Sequence, residues 1–317
     1  MKHKLFNISL FIAYILAMTA LMIWQGIGIA PDRYAFVLLL GSLLIKKTRA
    51  FLFDWLPFLF ILLSYDFLRG FADNLAGRVH INELIEADKW LFGQVPTLTL
   101  QAMFYNPDKL GFLDFVATVF YFLHFALPLA FGYILWIYNR AHFKKFTVAI
   151  LLLSYAGWVT YLSYPAAPPW MASNENLLPK VYKIMDKSTN LFPDKFHLPT
   201  IYHQFNPNPV AAIPSLHAAY PLLVLLLSLY FFGIRALWFS PYVAGVWLSI
   251  VYLGEHYAVD VLIGAVYATV FFFMTLVLYK FTYSNWMVKK FAHLETVAKV
   301  VHNNVKSLPW QKKETGS

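Results

Sequence analysis

Four side chains in two short stretches have the types and spacing that transfer chemistry needs. Ser215 and His217 stand in Pro214-Ser215-Leu216-His217-Ala218-Ala219, and His256 and Asp260 stand in Gly254-Glu255-His256-Tyr257-Ala258-Val259-Asp260, about forty residues later. A histidine and a carboxylate four residues apart share one face of a helix, one turn apart. The carboxylate can then fix the imidazole's tautomer, raise its basicity and stabilise positive charge, leaving the other ring nitrogen for attack. His217, arriving from another segment, would protonate a leaving alkoxide or activate an acceptor hydroxyl. Ser215 and the amides of that helix start are natural donors to a phosphate. The set fits phosphoryl transfer through a covalent phosphohistidine. Two rival readings exist. Two histidines and an aspartate also form a common metal-ligand set, and either histidine alone would serve as a polar helix end at headgroup level. The spacing is that of an orienting pair, and no further acidic cluster adjoins it in the sequence, so no metal or other cofactor is expected.

The segments that must position these groups are apolar. The chain has 317 residues, of which 60% are hydrophobic and only 13% charged, against ~25% charged in a soluble domain. The deficit falls in long uncharged runs, which defines an all-α polytopic membrane protein. The formal charge of +9 is spread over short clusters between those runs. They read as topology signals and headgroup contacts rather than a groove for nucleic acid. The absence of cysteine excludes disulfides and thiolate metal sites.

Apolar runs at residues 5–30, 34–45, 50–68, 115–137, 146–162, 210–232, 236–253 and 257–277 are candidate spans. The first reads as a retained signal-anchor helix. Residues 80–104 mix charged and large apolar side chains and predict amphipathic helices lying at the interface, anchored by Trp90. The proline-rich turn at 164–170 ends a helix rigidly, and 171–209 forms a long polar loop of a length that often signals function. The organisation expected is an N-terminal transmembrane hairpin (1–49), a catalytic membrane domain (50–280) and a basic cytoplasmic tail (281–317). With the amino terminus inside, the basic clusters at Lys2/Lys4, Lys46/Lys47/Arg49, Arg140/Lys144/Lys145, Arg235 and the tail all face the cytoplasm. The 164–170 turn, Pro214–His217 and His256–Asp260 then share the outer ends of spans, so the site faces the extracytoplasmic side.

On these residues the chain resembles a family. Pro214-Ser215-Leu216-His217 and His256-x-x-x-Asp260 look like the second and third signatures of the type 2 phosphatidic acid phosphatase superfamily. More narrowly, Pro165-Ala166-Ala167-Pro168-Pro169-Trp170, Pro214–Ala219 and Gly254-Glu255-His256-Tyr257-x-x-Asp260 resemble its inositol phosphorylceramide synthase (aureobasidin-resistance) branch. Tyr65-Asp66-Phe67-Leu68-Arg69-Gly70 and the region from Asp88 to Phe92 do so too. The likeness runs from about residue 56 to 273. It implies a six-helix core with two additional N-terminal helices, and a metal-independent enzyme acting on lipid phosphate esters. In it His256 matches the nucleophile, Asp260 its partner, His217 the acid/base and Ser215 a phosphate contact.

Two departures refine that implication. The phosphatase pattern carries an arginine six residues before the third-motif histidine, where this chain has Ile250 after Ser249. Its first motif, a lysine with a distant arginine–proline pair, is replaced by the Ala-Ala-Pro-Pro-Trp turn. A buried phosphate dianion without cations is costly, whereas a phosphodiester carries one charge. The reading is therefore transfer of a phospho-headgroup from a glycerophospholipid, such as a phosphatidylinositol, to a lipid or glycan hydroxyl. The alternative, with water as acceptor, is a lipid or polyprenyl phosphate/diphosphate phosphatase; a transporter or scaffold reusing the fold is a third reading. Arg69, Arg78, Lys180, Lys183 and Lys195 are candidate phosphate-binding cations. Tyr164, Pro168, Pro169 and Trp170, with Tyr257, are the candidate substrate pocket.

Overall fold

A computed structural model describes residues 48–75, 79–192, 202 and 209–282, with short helical pieces at 9–10, 13–14, 16–18, 20–21 and 37–41. The chain divides into two compact units, one through Phe272 and one from Phe273. Of the second, the described part is the end of the last helix. The described elements are helical: α1 Thr48–Leu75, α2 Asn82–Phe92, α3 Pro96–Phe104, α4 Phe112–Tyr138, α5 Arg140–Ser163, α6 Pro169–Asn174, α7 Met185–Ser188, α8 Leu216–Phe232, α9 Ser240–Tyr252 and α10 Ala258–Thr282.

Local signals fix these boundaries. Asn139 caps α5 by accepting the Ala141 amide at 2.9 Å. Pro96 and Pro169 occupy first-turn positions, where a missing N–H costs nothing. Gly93 ends α2 at φ 76°. Pro128 lies inside α4, whose halves Phe112–His124 and Ala126–Tyr138 are bent by 44°. A proline ring cannot pass the carbonyl four residues back, which is that of His124.

The outside of the first unit carries large apolar side chains, among them Phe53, Phe60, Val159, Leu248 and Val266. Its inside is aromatic: Trp55, Tyr133, Trp136, Phe143 and Phe146 are almost wholly buried where α1, α4 and α5 pack. An exterior this apolar is suited to lipid rather than water. Among the described residues three helices are long and apolar enough to cross a membrane, Arg140–Ser163, Ile234–Tyr252 and Ala258–Phe281, or four with the bent α4. Ala50–Leu62 and Leu216–Phe232 are apolar but shorter.

Two expectations change. The run at 210–232 is not helical throughout: its first six residues form a turn, and α8 starts only after Ser215, in extended backbone, caps it. Asp54 is a structural partner, accepting from Trp136 Nε1 at 2.8 Å and from Arg140 at 2.6 Å. The segment after α6 is not merely a polar loop. Val181, Ile184, Met185 and Tyr202 are buried beneath it against the ends of α4 and α9. Most of 1–47, residues 76–78, 193–201 and 203–208, and the tail from 283 lie outside the described residues.

Candidate active site

The site is built from two helix starts pinned together. Ser215 Oγ accepts the Ala218 amide at 3.3 Å, opening α8, and this places His217 in its first turn. Asp260 lies in the first turn of α10, and its Oδ2 accepts the Tyr257 amide at 2.9 Å. The Ser215 amide donates to the Asp260 carbonyl at 3.2 Å. Gly264 makes this approach possible, since a Cβ there would lie 2.4 Å from the Ser215 carbonyl oxygen. Tyr161 adds a hydrogen bond from its hydroxyl to the Pro214 carbonyl at 2.9 Å.

His217 Nδ1 therefore stands 3.1 Å from His256 Nε2, and His256 Nδ1 stands 3.4 Å from Asp260 Oδ2. The second distance is that of ion pairing rather than of a short hydrogen bond. The residues predicted to act together are thus in line, with Asp260 and Ser215 fully buried, His256 4% exposed and His217 half-buried. One proton can pass between the imidazoles, and the carboxylate stands at the opposite ring nitrogen of His256 from His217. A gap of 3.1 Å leaves no space for phosphorus between the rings, so an entering phosphoryl group must part them.

Two further acids stand near this pair, one of them adjacent in sequence and one brought in by the fold. Asp88, brought in by α2, is fully buried, and its carboxylate accepts the amides of Val259 at 2.8 Å and Ala258 at 3.3 Å, completing the cap of α10. Burial pushes its pKa up to about 6, against the pull of those two amides. Glu255 is buried beside His256 and accepts a short hydrogen bond from Tyr202. Burial raises its carboxyl too, while the positive charge of Lys183 draws it down. Among the described residues, no group of three or more His, Asp and Glu is arranged to hold a metal ion.

Sequence reasoning also passed over the aromatic wall behind His217. The His124 ring lies 4.1 Å from it and Tyr121 4.9 Å, while Tyr121 packs 5.8 Å from Tyr202. A lone histidine in an otherwise apolar run was the available signal. Gln101 is a second omission: its amide donates to the carbonyls of Tyr182 at 2.8 Å and Tyr252 at 2.9 Å and accepts from the Tyr182 amide at 2.8 Å. It ties the segment after α6 to the end of α9.

The remaining candidates separate spatially. Ala166, fully buried, bridges His80 on one side and Ala211 on the other, so the proline turn, the chain before α2 and the chain before α8 are stitched edge to edge. Tyr164 stacks on His80 with ring centroids 3.8 Å apart. Pro168 and Pro169 are buried and start α6. That places Trp170, whose amide donates to the Gly254 carbonyl at 3.4 Å. Trp170, Lys180 and Lys183 line a cavity of about 270 Å³. Tyr257 is fully buried in the apolar cluster beside the nucleophile candidate. The side chains of Arg69, Arg78 and Lys195 lie outside the described residues.

With this geometry in place, comparison with known proteins defines the class. Residues 82–274, which hold every member of the histidine set, match the PAP2 superfamily, and the chain belongs to that superfamily of integral membrane proteins. Within it, the chain is 30% identical over 233 residues to phosphoinositol dihydroceramide synthase of Bacteroides thetaiotaomicron, covering 68% of this chain and 74% of that one. It is 28% identical to inositol phosphorylceramide synthase of Candida albicans (56% and 38% covered) and 26% identical to the inositol phosphorylceramide synthase catalytic subunit AUR1 of Saccharomyces cerevisiae (75% and 60%). The chain thus spans less than two thirds of both fungal relatives. The resemblance to the inositol phosphorylceramide synthase branch therefore holds. No solved structure matches the chain.

Proposed function

We propose that this chain is a lipid phosphotransferase. It moves a phosphoinositol-type headgroup from a glycerophospholipid to the hydroxyl of a ceramide-like lipid. The observation that carries the reading is the alignment of Asp260, His256 and His217 within 3.4 and 3.1 Å on a chain whose relatives bear synthase names. Ile250 supports transfer over simple phosphatase action. The position where the phosphatase pattern has arginine is a fully buried core residue, and its carbonyl accepts the amides of Glu255 and His256. A singly charged phosphodiester tolerates that loss better than a dianion.

In the first step His256 Nε2 attacks phosphorus and the bond to the diacylglycerol oxygen breaks, while His217 gives that oxygen its proton. Diacylglycerol leaves, and the headgroup phosphate stays on His256 as a phosphoramidate. In the second step His217 takes the proton of the acceptor hydroxyl, whose oxygen attacks phosphorus. The P–N bond breaks, releasing the new phosphodiester and free His256. Asp260 holds the His256 tautomer and balances its charge throughout. Ser215 contributes through the α8 start, and Lys180 and Lys183 supply positive charge beside it. Eight spans, with both termini cytoplasmic, place the site on the extracytoplasmic side, with the α2–α3 pair at that interface.

The test is incubation of purified protein with labelled phosphatidylinositol, with and without ceramide. An inositol phosphodiester of ceramide that forms only with acceptor supports the proposal. Release of headgroup phosphate to water, unaffected by ceramide, makes the chain a phosphatase, and no product across a panel of donors removes the enzyme reading.

A further inference from the structure

The cavity beside the histidine set holds more than the positive charge that the transfer chemistry uses. Its lining includes Lys180, Lys183 and Lys187 against a single acid, Asp186, together with Trp170 and Asn174. Each lysine is held: Lys183 lies 4.4 Å above the Trp170 ring and 3.7 Å from Asp186, Lys187 donates to the Pro107 carbonyl at 3.0 Å, and Lys180 sits 5.6 Å above the Tyr182 ring. Trp170 Nε1 is buried and has no hydrogen-bond partner. A buried N–H without an acceptor is costly. At about 270 Å³ the cavity falls just below the ~300–1,000 Å³ of drug-sized sites, the scale of a headgroup and not of an acyl chain.

The lysine segment is bolted directly to the catalytic one. The Ile184 amide donates to the Leu253 carbonyl at 3.2 Å, and Gly254, at φ 83°, lets the Tyr182 carbonyl approach to 2.7 Å of where a Cβ would be. Lys183 also lies 5.0 Å above the Tyr202 ring, and the Tyr202 hydroxyl bonds Glu255, the residue before His256.

From this we infer that the cavity is the headgroup-selecting subsite: it takes a polyol phosphate and turns away headgroups that carry a cation. The Asn174 amide and Asp186 meet ring hydroxyls, and the lysine charges attract the phosphate. The same lysines repel a choline or ethanolamine ammonium, which is specificity by exclusion as well as by fit. The inference rests on the proposed headgroup transfer, which it deepens by naming what selects the donor.

The experiment measures binding to the full chain in detergent by titration calorimetry, with glycerophosphoinositol, glycerophosphocholine and inorganic phosphate as probes. The wild type should bind glycerophosphoinositol at least tenfold more tightly than either other probe. Lys183→Gln combined with Lys187→Gln should erase most of that difference, and Lys180→Gln alone, at an exposed position, should reduce it if the pair fails to fold. Equal binding of the two glycerophosphodiesters, binding of inorganic phosphate as tight as that of the polyol, or selectivity that survives the substitutions would each overturn the inference. Selective binding without turnover would leave the subsite standing and sink only the transferase reading. Turnover without selective binding would do the reverse.

Discussion

Substituting Gly254 by alanine tests how the lysine segment is coupled to the histidine site. Gly254 sits at φ 83°, and an added Cβ would stand 2.7 Å from the Tyr182 carbonyl oxygen. The left-handed backbone costs a residue with Cβ ~1–2 kcal/mol. To restore ordinary contact the carbonyl must retreat by several tenths of an ångström, straining its 2.8 Å hydrogen bond from Gln101, worth ~1 kcal/mol. The sum is a loss of about 2–3 kcal/mol, or a midpoint lowered by roughly 5–10 °C on the scale of larger soluble domains. Turnover should fall further than stability, by ~10–100-fold, because the displaced carbonyl adjoins Lys183. The control is Gly93→Ala: it has a similar φ of 76° but nothing within 4 Å of the new Cβ, so it should cost ~1–2 kcal/mol and leave activity intact. Thermal unfolding in detergent and headgroup-transfer kinetics, run on both variants, decide the matter. If the two glycine variants behave alike in both assays, the close approach is not what holds the segment.

Other predictions follow from the same contacts. His256→Ala and His217→Ala should each abolish transfer while leaving the unfolding midpoint within a few degrees, and trapping with labelled donor should give an acid-labile phosphoprotein only when His256 is present. Asp260→Asn should cut kcat by ~10²–10⁴-fold, by analogy with the loss of a histidine-orienting carboxylate, with a much smaller change in KM. The Asp88 carboxyl, raised by burial to about 6 from the usual 3.8, binds its proton more tightly in the folded chain. Its contribution to stability should therefore fall as pH rises from about 4 to about 6 and stay flat above, and the wild-type minus Asp88→Asn difference, followed by unfolding against pH, should show that slope. Transfer should persist in excess chelator; complete loss, restored by a divalent cation, would refute the metal-free mechanism.

Much of the site was legible because its chemistry is local in sequence. The four-residue interval of His256 and Asp260 fixes their shared face on any helix, and Ser215 is a capping residue by type wherever it precedes α8. The apolar runs around 146–162, 236–253 and 257–277 likewise announced the long helices. The start of α8 was less legible, since an apolar run does not show where its backbone ceases to be helical, and here a proline and a serine cap decide it. The roles of Asp88 and Gln101 are not legible in the sequence, because their partners lie about 170 and 81–151 residues away. A buried polar side chain reveals its purpose only when the group it satisfies is known.

By itself, then, the sequence determined that this is a helical membrane protein with a histidine–histidine–aspartate set, since hydropathy and helical period act over a few turns. Only the tertiary structure decided that His217 and His256 touch, that Asp88 and Asp260 jointly cap one helix, and that three lysines line one cavity with Trp170. Those arrangements depend on Gly254 and Gly264 leaving room for backbone from remote parts of the chain. Close approach of that kind is a property of packed surfaces, and no residue spacing along the chain encodes it.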